Sequence, residues 1–406
     1  MITRRRLLFT LPAFTANLQA QLLHLPHRRP PVTPSHTSLL YIGVDTAKGV
    51  GKGIYVASFD SSNGHLSEPQ LAAETYRPAY FAFSPAGGAR RVLYVGNEGS
   101  DLAASTITSF LVTGAPKAPT LRQIGKVTAG FAGPAYVSID STGHAVFVAN
   151  YGGGGVTSFR VLPDGTLSEP VERINYKDPG RFGKRGPNAD RQDAPHPHCA
   201  TLSPDNRFLL VNDLGDDEIS VFIVDPETAR LTAGEPHLFS NNRPGSGPRH
   251  VAFHPNGRWL YSINELDSTI DHFLFTTTHH AVPQAMLVDA GPPVSTLDPG
   301  FSGKNTAAEI VIPPDGYYLY ASNRGEDSLV AYTIDPDTGS LKFLQRLSCG
   351  GKTPRQFTLD STGQWLVCGN QDSASVAVFR RDPANGRLSG PTQTIAIDSP
   401  MCTLFA

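Results

Sequence analysis

His198, Arg249, Glu265, Arg324 and Arg355 are the residues whose types and positions in this sequence could do chemistry together. None belongs to a contiguous catalytic motif. Each occupies one of two equivalent places in a recurring pattern. The first is directly after the proline that opens an apolar segment, as in HPH, GPR and TPR; the second is directly after the asparagine that closes the next segment, as in NEL and SNRG. Histidine and glutamate supply acid–base function, and planar guanidinium groups suit anions. Gathered around one narrow opening, such a set serves a small anionic substrate and acid–base chemistry. The competing reading is a structural ion network in which Arg249 and Arg324 simply neutralise Glu265.

What would gather them is an internal repeat. Gly247–Leu266, GPRHVAFHPNGRWLYSINEL, sets two apolar strands around the turn His254-Pro255-Asn256-Gly257. It reads as a β-hairpin, because Pro and Gly set the turn and the flanks are β-branched and aromatic. Strands joined by a tight turn run antiparallel, so Arg249 and Glu265, at the open ends, should lie close together. The second strand recurs as SLLYIGV, RVLYVGN, AVFVAN, FLLVND, YLYASN and WLVCGN, seven copies with its own, each followed by a further hairpin such as VTSFRVLPDGTL. The first strand recurs at Ala79–Phe83, Ala135–Ile139, His198–Leu202, Arg249–Phe253, Ala308–Ile312 and Arg355–Leu359, which is only six. The seventh copy is at the other end of the chain: SPMCTLF (399–405) aligns with HPHCATL and would complete the unit begun by Ser38–Val44. Radial repetition of four-stranded sheets closed by the two termini predicts an all-β fold, a seven-bladed β-propeller of antiparallel blades.

The repeat also predicts which face carries function. Turns between strands one and two, and three and four, lie on one face; the longer segments at Thr113–Gly133 (in part), Glu172–Pro197 and Thr277–Thr306 should elaborate the other, where binding residues gather on loops over a rigid scaffold. Candidate substrate contacts on that face are His196, Arg191, Gln192, Glu309 and Gln371, together with Arg355. The 172–197 segment carries Lys177, Arg181, Lys184, Arg185 and Arg191, an anion-attracting lid or a plain solvated loop. His196 and His198 alone make too thin a set of ligands, so no metal site is assigned. Four glycines after Tyr151 lack the Lys-Ser/Thr and helix of a phosphate loop and read as a strand connection where backbones approach closely. The repeated strand-end asparagines read as scaffold.

Composition agrees. The chain has 406 residues, 39% of them apolar, enough for a sizeable core, and 39 glycines and 34 prolines fit many short strands and turns. A formal charge of −2 gives no reason to expect nucleic acid, and no apolar run is long enough to span a membrane. Cys199, Cys349, Cys368 and Cys402 have neither redox nor zinc spacing and read as buried small hydrophobes, though an exported protein could oxidise one pair. Residues 1–20, with Arg4, Arg5 and Arg6 before a short apolar run, read as a twin-arginine export signal, and residues 21–37 as a linker ahead of a propeller domain at 38–406. The expected location is the periplasm, or the cytoplasm if the signal does not function.

The segments AYVSIDSTGHAVFVANYGGGGV, GPNADRQDAPHPHCATLSPDNRFLLVNDLG, GPRHVAFHPNGRWLYSINELDS, EIVIPPDGYYLYASNRGEDSLVAY and TPRQFTLDSTGQWLVCGNQDSASVAVF occur in the order seen in a known family. Over Leu39–Phe405 the chain resembles the seven-bladed propeller lactonases, which include propeller-type 6-phosphogluconolactonases and fungal carboxymuconate cyclases. The resemblance implies a catalytic cluster of His198, Arg249, Glu265 and Arg324. It also implies a monomer that hydrolyses a small anionic sugar lactone without a cofactor, with His198 or Glu265 activating water and Arg249 and Arg324 holding negative charge. A cycloisomerase using the same residues and a non-enzymatic interaction platform are the alternatives. A phosphorylated sugar lactone is cytoplasmic, so an export signal favours a different aldonolactone.

Overall fold

The computed structural model describes residues 36–406 apart from 88–89, 116–117, 179–184, 241–242 and 279–282. The expected signal and nearly all of the expected linker lie outside the described residues. So do Arg181 and Lys184.

Every regular element among the described residues is a strand. They form seven separate antiparallel sheets, six of them built from consecutive chain segments. Blade 2 is Pro78–Phe83, Val92–Asn97, Thr106–Ala115 and Ala118–Thr128; blade 3 is Pro134–Ile139, Ala145–Asn150, Gly155–Arg160 and Glu172–Asn175. Blade 4 is Pro197–Leu202, Phe208–Asp213, Glu218–Asp225 and Arg230–Ser240; blade 5 is Pro248–Phe253, Trp259–Asn264, Thr269–Thr277 and Ala285–Asp289, with Val294–Ser295 beside its third strand. Blade 6 is Thr306–Val311, Tyr318–Arg324, Ser328–Ile334 and Leu341–Ser348; blade 7 is Pro354–Leu359, Trp365–Asn370, Ser375–Arg381 and Leu388–Ala396. Blade 1 joins the two ends of the chain: Pro400–Phe405 pairs with Thr37–Val44, with Leu40 opposite Phe405 and Ile42 opposite Thr403, and Gly53–Asp60 continues the sheet.

The hairpin at Gly247–Leu266 forms as expected. His254 N donates to Trp259 O at 2.8 Å, and Gly257 takes φ 69°, a left-handed conformation glycine adopts without strain. In blade 4 the equivalent turn uses Asn206 at φ 62°, because asparagine tolerates the same region.

The second strands of blades 2, 3, 4, 5 and 7 are buried along their whole length, as in AVFVAN and WLYSIN, because blades pack face to face and leave neither sheet surface in water. There are seven apolar clusters for the seven interfaces. The cluster that closes the ring packs Leu40, Ile42 and Phe59 of blade 1 against Trp365, Val367 and Val378 of blade 7. All four cysteines are buried and free.

Two of the expected insertions are corrected. Most of Thr113–Gly133 is strand, the third and fourth of blade 2 paired from Thr106–Thr128 to Ala115–Ala118, so that segment lengthens a hairpin instead of elaborating the other face. Thr277–Thr306 divides: Ala285–Asp289 pairs back onto Thr269–Thr277, and only the stretch after it links to blade 6. The alternation that placed these segments could not separate a long hairpin from a loop, since both carry turn residues.

Candidate functional site

One backbone device aims the inward side chains. In blade 4 Pro197 pairs with Asp213 and Cys199 with Asn212, so His198 is an extra residue in the ladder. Arg249 is displaced in the same way between Pro248 and His250, and Arg355 between Pro354 and Gln356. Ala79, Ala135 and Met401 occupy the same place in blades 2, 3 and 1. A bulge leaves the extra residue unpaired and turns its side chain out of the strand's alternation. The proline before it has no N–H to give the ladder, which makes this end of the strand the place to interrupt pairing. The bulge residues converge: Ala79, Ala135, Arg249, Arg355 and Met401, with Tyr80, His250 and Gln356, line a cavity of about 10 Å³, the size of one water.

Glu265 is the hub. Its carboxylate accepts from Arg249 Nε at 3.0 Å, Arg324 Nη2 at 2.8 Å and Arg191 Nη2. Arg249 and Glu265 are nearly inaccessible, at 2% and 3%. Burial alone would raise the Glu265 carboxyl, but Arg324, Arg249 and Arg191 together outweigh it and hold the group at about 2. Arg249 is pulled down too: burial, then the neighbouring Arg324 and Arg355, take it to about 9 against Glu265, which disfavours its charge where that of Glu265 is favoured. The difference arises because Glu265 is attracted by several guanidiniums, whereas Arg249 also meets the repulsion of Arg324 and Arg355.

Arg324 also donates to the Ala307 carbonyl at 3.2 Å, and Arg191 to Tyr151 Oη at 3.2 Å. Among the described residues Arg355 makes no ion pair or side-chain hydrogen bond. Four arginines thus face one glutamate, an excess of positive charge that an anion would neutralise.

His198 lies beside this cluster, 6% exposed, with Nδ1 buried and lacking a hydrogen-bond partner. Its ring meets Tyr151 edge-on at 5.5 Å and His250 at 5.1 Å. Burial, reinforced by Arg249, His250, Arg355 and Arg324, holds it well below the ordinary histidine value, so it is neutral. On the same face a groove of about 580 Å³ is lined by Asn188, Arg191, Leu266, Lys304, Asn305 and Thr306 among others, and Arg191 joins it to Glu265.

The five central residues therefore come together, and Arg249 and Glu265 touch. The outer candidates divide. Arg191 reaches the hub from the 172–197 loop, whereas Arg185 of the same loop pairs with Asp216 and Lys177 is exposed. Gln192 is engaged by its own loop: its amide donates to Leu214 O at 2.9 Å and accepts from Asn188 N at 3.0 Å. His196 braces the loop: its nitrogens lie 2.9 Å from Tyr151 O and 3.1 Å from Asp193 Oδ1, and its ring stacks on Tyr151 at 4.3 Å. Glu309 is buried against His250 Nδ1 at 3.0 Å. Gln371 is buried, its backbone N bonded to Thr353 O.

Sequence reasoning missed His250, the residue after a bulge, which strand alternation would have assigned to sheet packing. It also missed Tyr80 and Tyr136, stacked at 4.1 Å, which both meet the His250 ring edge-on. The one available signal was the register slip, visible only in the paired strands.

Fold and site define a closed seven-bladed propeller with an arginine-rich, histidine-bearing centre on its axis. Residues 39–405 match the family described as Lactonase, 7-bladed beta-propeller, and the chain belongs to that family. A 6-phosphogluconolactonase of Bacillus subtilis is 30% identical over 365 residues, covering 90% of this chain and 97% of that protein. A 6-phosphogluconolactonase of Formosa agariphila is 30% identical over 364 residues, 88% of this chain and 97% of that one. The structure of a Pseudomonas aeruginosa periplasmic gluconolactonase is similar with a TM-score of 0.79 at 30% identity, covering 91% of this chain and 99% of that one.

Proposed function

We propose that the protein hydrolyses a sugar lactone, 6-phospho-D-glucono-1,5-lactone or a related aldonolactone, at the arginine-rich centre of its channel. The observation that carries this reading is the neutral His198, unpartnered at Nδ1, beside guanidiniums that outnumber their single carboxylate. Hydrolysis needs a base for water and donors for the oxyanion that forms as water adds to the carbonyl. His198 is the base. Glu265, held near 2 by three arginines, is too weak a base and serves to orient them. Arg249 and Arg324 stabilise the oxyanion, and the unpaired Arg355 with Arg191 holds a phosphate or carboxylate of the substrate. Water adds to the carbonyl carbon as His198 takes its proton; the tetrahedral intermediate collapses, the ring C–O bond breaks, and the proton passes to the departing alkoxide.

Residues 1–20 act as a twin-arginine signal ahead of a monomeric propeller, and an exported enzyme meets a free aldonolactone in preference to a phosphorylated one. The gluconolactonase relative named as periplasmic supports that choice. A pH-stat assay over phosphorylated and free aldonolactones, with the parent and His198→Ala, tests the reading: acid release with at least one lactone and its loss in the variant are expected. No release with any lactone overturns it.

A further inference from the structure

Glu309 and His250 form a buried pair in the channel that the proposed reaction does not use. Both are nearly inaccessible, at 4% and 3%, and Glu309 Oε2 has no hydrogen-bond partner. A half-satisfied buried carboxylate is a liability for folding, so its presence calls for an explanation.

The hydrogen bonds supply one. Glu309 Oε1 lies 3.0 Å from His250 Nδ1, and a carboxylate can only accept, so Nδ1 carries the proton. Nε2 is then left with its lone pair. Arg249 Nη1 lies almost equally far from the two ring nitrogens, 3.2 Å from Nε2 and 3.4 Å from Nδ1, so the guanidinium rests against the neutral ring and not on one lone pair. Nη1 also donates to the Ala308 carbonyl at 2.7 Å, and Nε donates to Glu265 at 3.0 Å. The guanidinium is thereby fixed along two of its three nitrogens. Among the described residues Nη2 has no hydrogen-bond partner.

The ring that does the fixing is itself held, edge-on to the stacked Tyr80 and Tyr136. Arg249 needs this support, because Arg324 and Arg355 repel it and burial removes the water that would screen them. A doubly protonated His250 would set a second positive charge against the guanidinium and push it away. Burial, then Arg249 itself, keep that ring neutral.

We infer that His250 and Glu309 are positioning residues that hold Arg249 with its Nη2 edge free for the substrate oxyanion. The inference rests on the lactonase reading for its role in catalysis, though its geometry stands apart from it.

The test uses His250→Phe, which keeps a ring against the tyrosines but removes the bond to Glu309, and His250→Asn, which restores a polar partner for that carboxylate. The Phe variant should lose about tenfold to a hundredfold in kcat, the cost of misplacing one oxyanion donor, with KM and melting temperature little changed. The Asn variant should recover much of that loss. Parent-like kcat in the Phe variant, or an Asn variant no better than Phe, overturns the inference. A parent inactive on every lactone overturns the proposed function instead, and a second measurement then decides the relay without activity. In 15N spectra of labelled histidine at neutral pH, His250 should show a protonated Nδ1 and a bare Nε2, a preference that Glu309→Gln weakens. The opposite tautomer, or a doubly protonated ring, refutes the pair. The same spectra decide the matter if the Phe variant fails to fold.

Discussion

The two sides of the channel use the same backbone and opposite chemistry. On the side of blades 4 to 7, the bulge and strand-end positions hold His198, Arg249, Glu265, Arg324 and Arg355, and Arg191 joins from a loop, so three guanidiniums meet one carboxylate with that of Arg355 beside them. On the side of blades 1 and 2 the bulge residues are Met401 and Ala79, and the strand-end residues are Asp45 and Glu98. There the proportion is reversed: Arg77 is shared by Asp45 at 3.0 Å and Glu98 at 3.6 Å. Identical ladders, bulges and blade interfaces carry either set. The scaffold is indifferent to the chemistry placed on it, and the field between an acidic and a basic wall draws an anion toward the arginines.

The comparison fails at once if the acidic side is dispensable scaffolding. Deleting residues 398–406 removes the innermost strand of blade 1, strips the pairing of Tyr41 with Leu404 and Gly43 with Cys402, and opens the ring. We expect loss of cooperative unfolding and of all activity, read by calorimetry and pH-stat; an unchanged melting curve would show that closure contributes nothing.

The next effect is chemical and confined to the basic side. His198→Ala should lower kcat by about 10²–10⁴-fold while leaving the melting temperature nearly unaltered, because the side chain has no hydrogen-bond partner on Nδ1 to lose. If the variant melts far lower yet hydrolyses at the parent rate, the basic ring holds the propeller together and the chemistry lies elsewhere.

Paired substitutions sharpen the contrast. Glu265→Gln leaves buried guanidiniums facing a neutral group and should cost roughly 3–5 kcal/mol along with activity. Asp45→Asn, which weakens the single bond to Arg77 Nε, should cost about 1–3 kcal/mol and leave kcat unchanged. Denaturant titrations and initial rates on both proteins decide it; equal losses of activity would erase the distinction between the two walls.

The smallest expected effect is the pH dependence of stability. His198 and His250 are lowered in the folded state from an ordinary 6.5, and burial takes His272, stacked on Tyr261 at 4.8 Å, to about 4. The unfolded chain therefore binds more protons than the native one below that value, so this stability is complete above 6.5 and declines as pH falls through the window. Glu265, lowered from 4.5 to about 2, adds a second loss only between those values. His272→Phe should flatten part of the first decline without touching catalysis; a melting temperature flat between pH 7 and 4 would mean that these rings are already protonated or solvated.

Most of the fold and the centre of the site were legible because they are local and repeated. The recurrence of FLLVND, WLYSIN and WLVCGN at matched intervals fixed blade number, and SPMCTLF could complete a blade only by meeting SLLYIGV. Antiparallel pairing across one short turn brought Arg249 to Glu265, and equivalence of position added His198, Arg324 and Arg355. What the sequence could not decide were contacts between blades and loops. Arg191 enters the hub from a loop whose neighbours Gln192 and His196 are consumed in bracing it, and His250 meets Glu309 across the blade 5–6 boundary. Those distinctions depend on the bulges, which shift register by one residue after the prolines and reverse which side chain faces the axis. They depend also on burial, which makes His198 neutral and lets three arginines fix the charge of Glu265. Both are properties of the closed ring, set by how sheets stack, and no single strand encodes them.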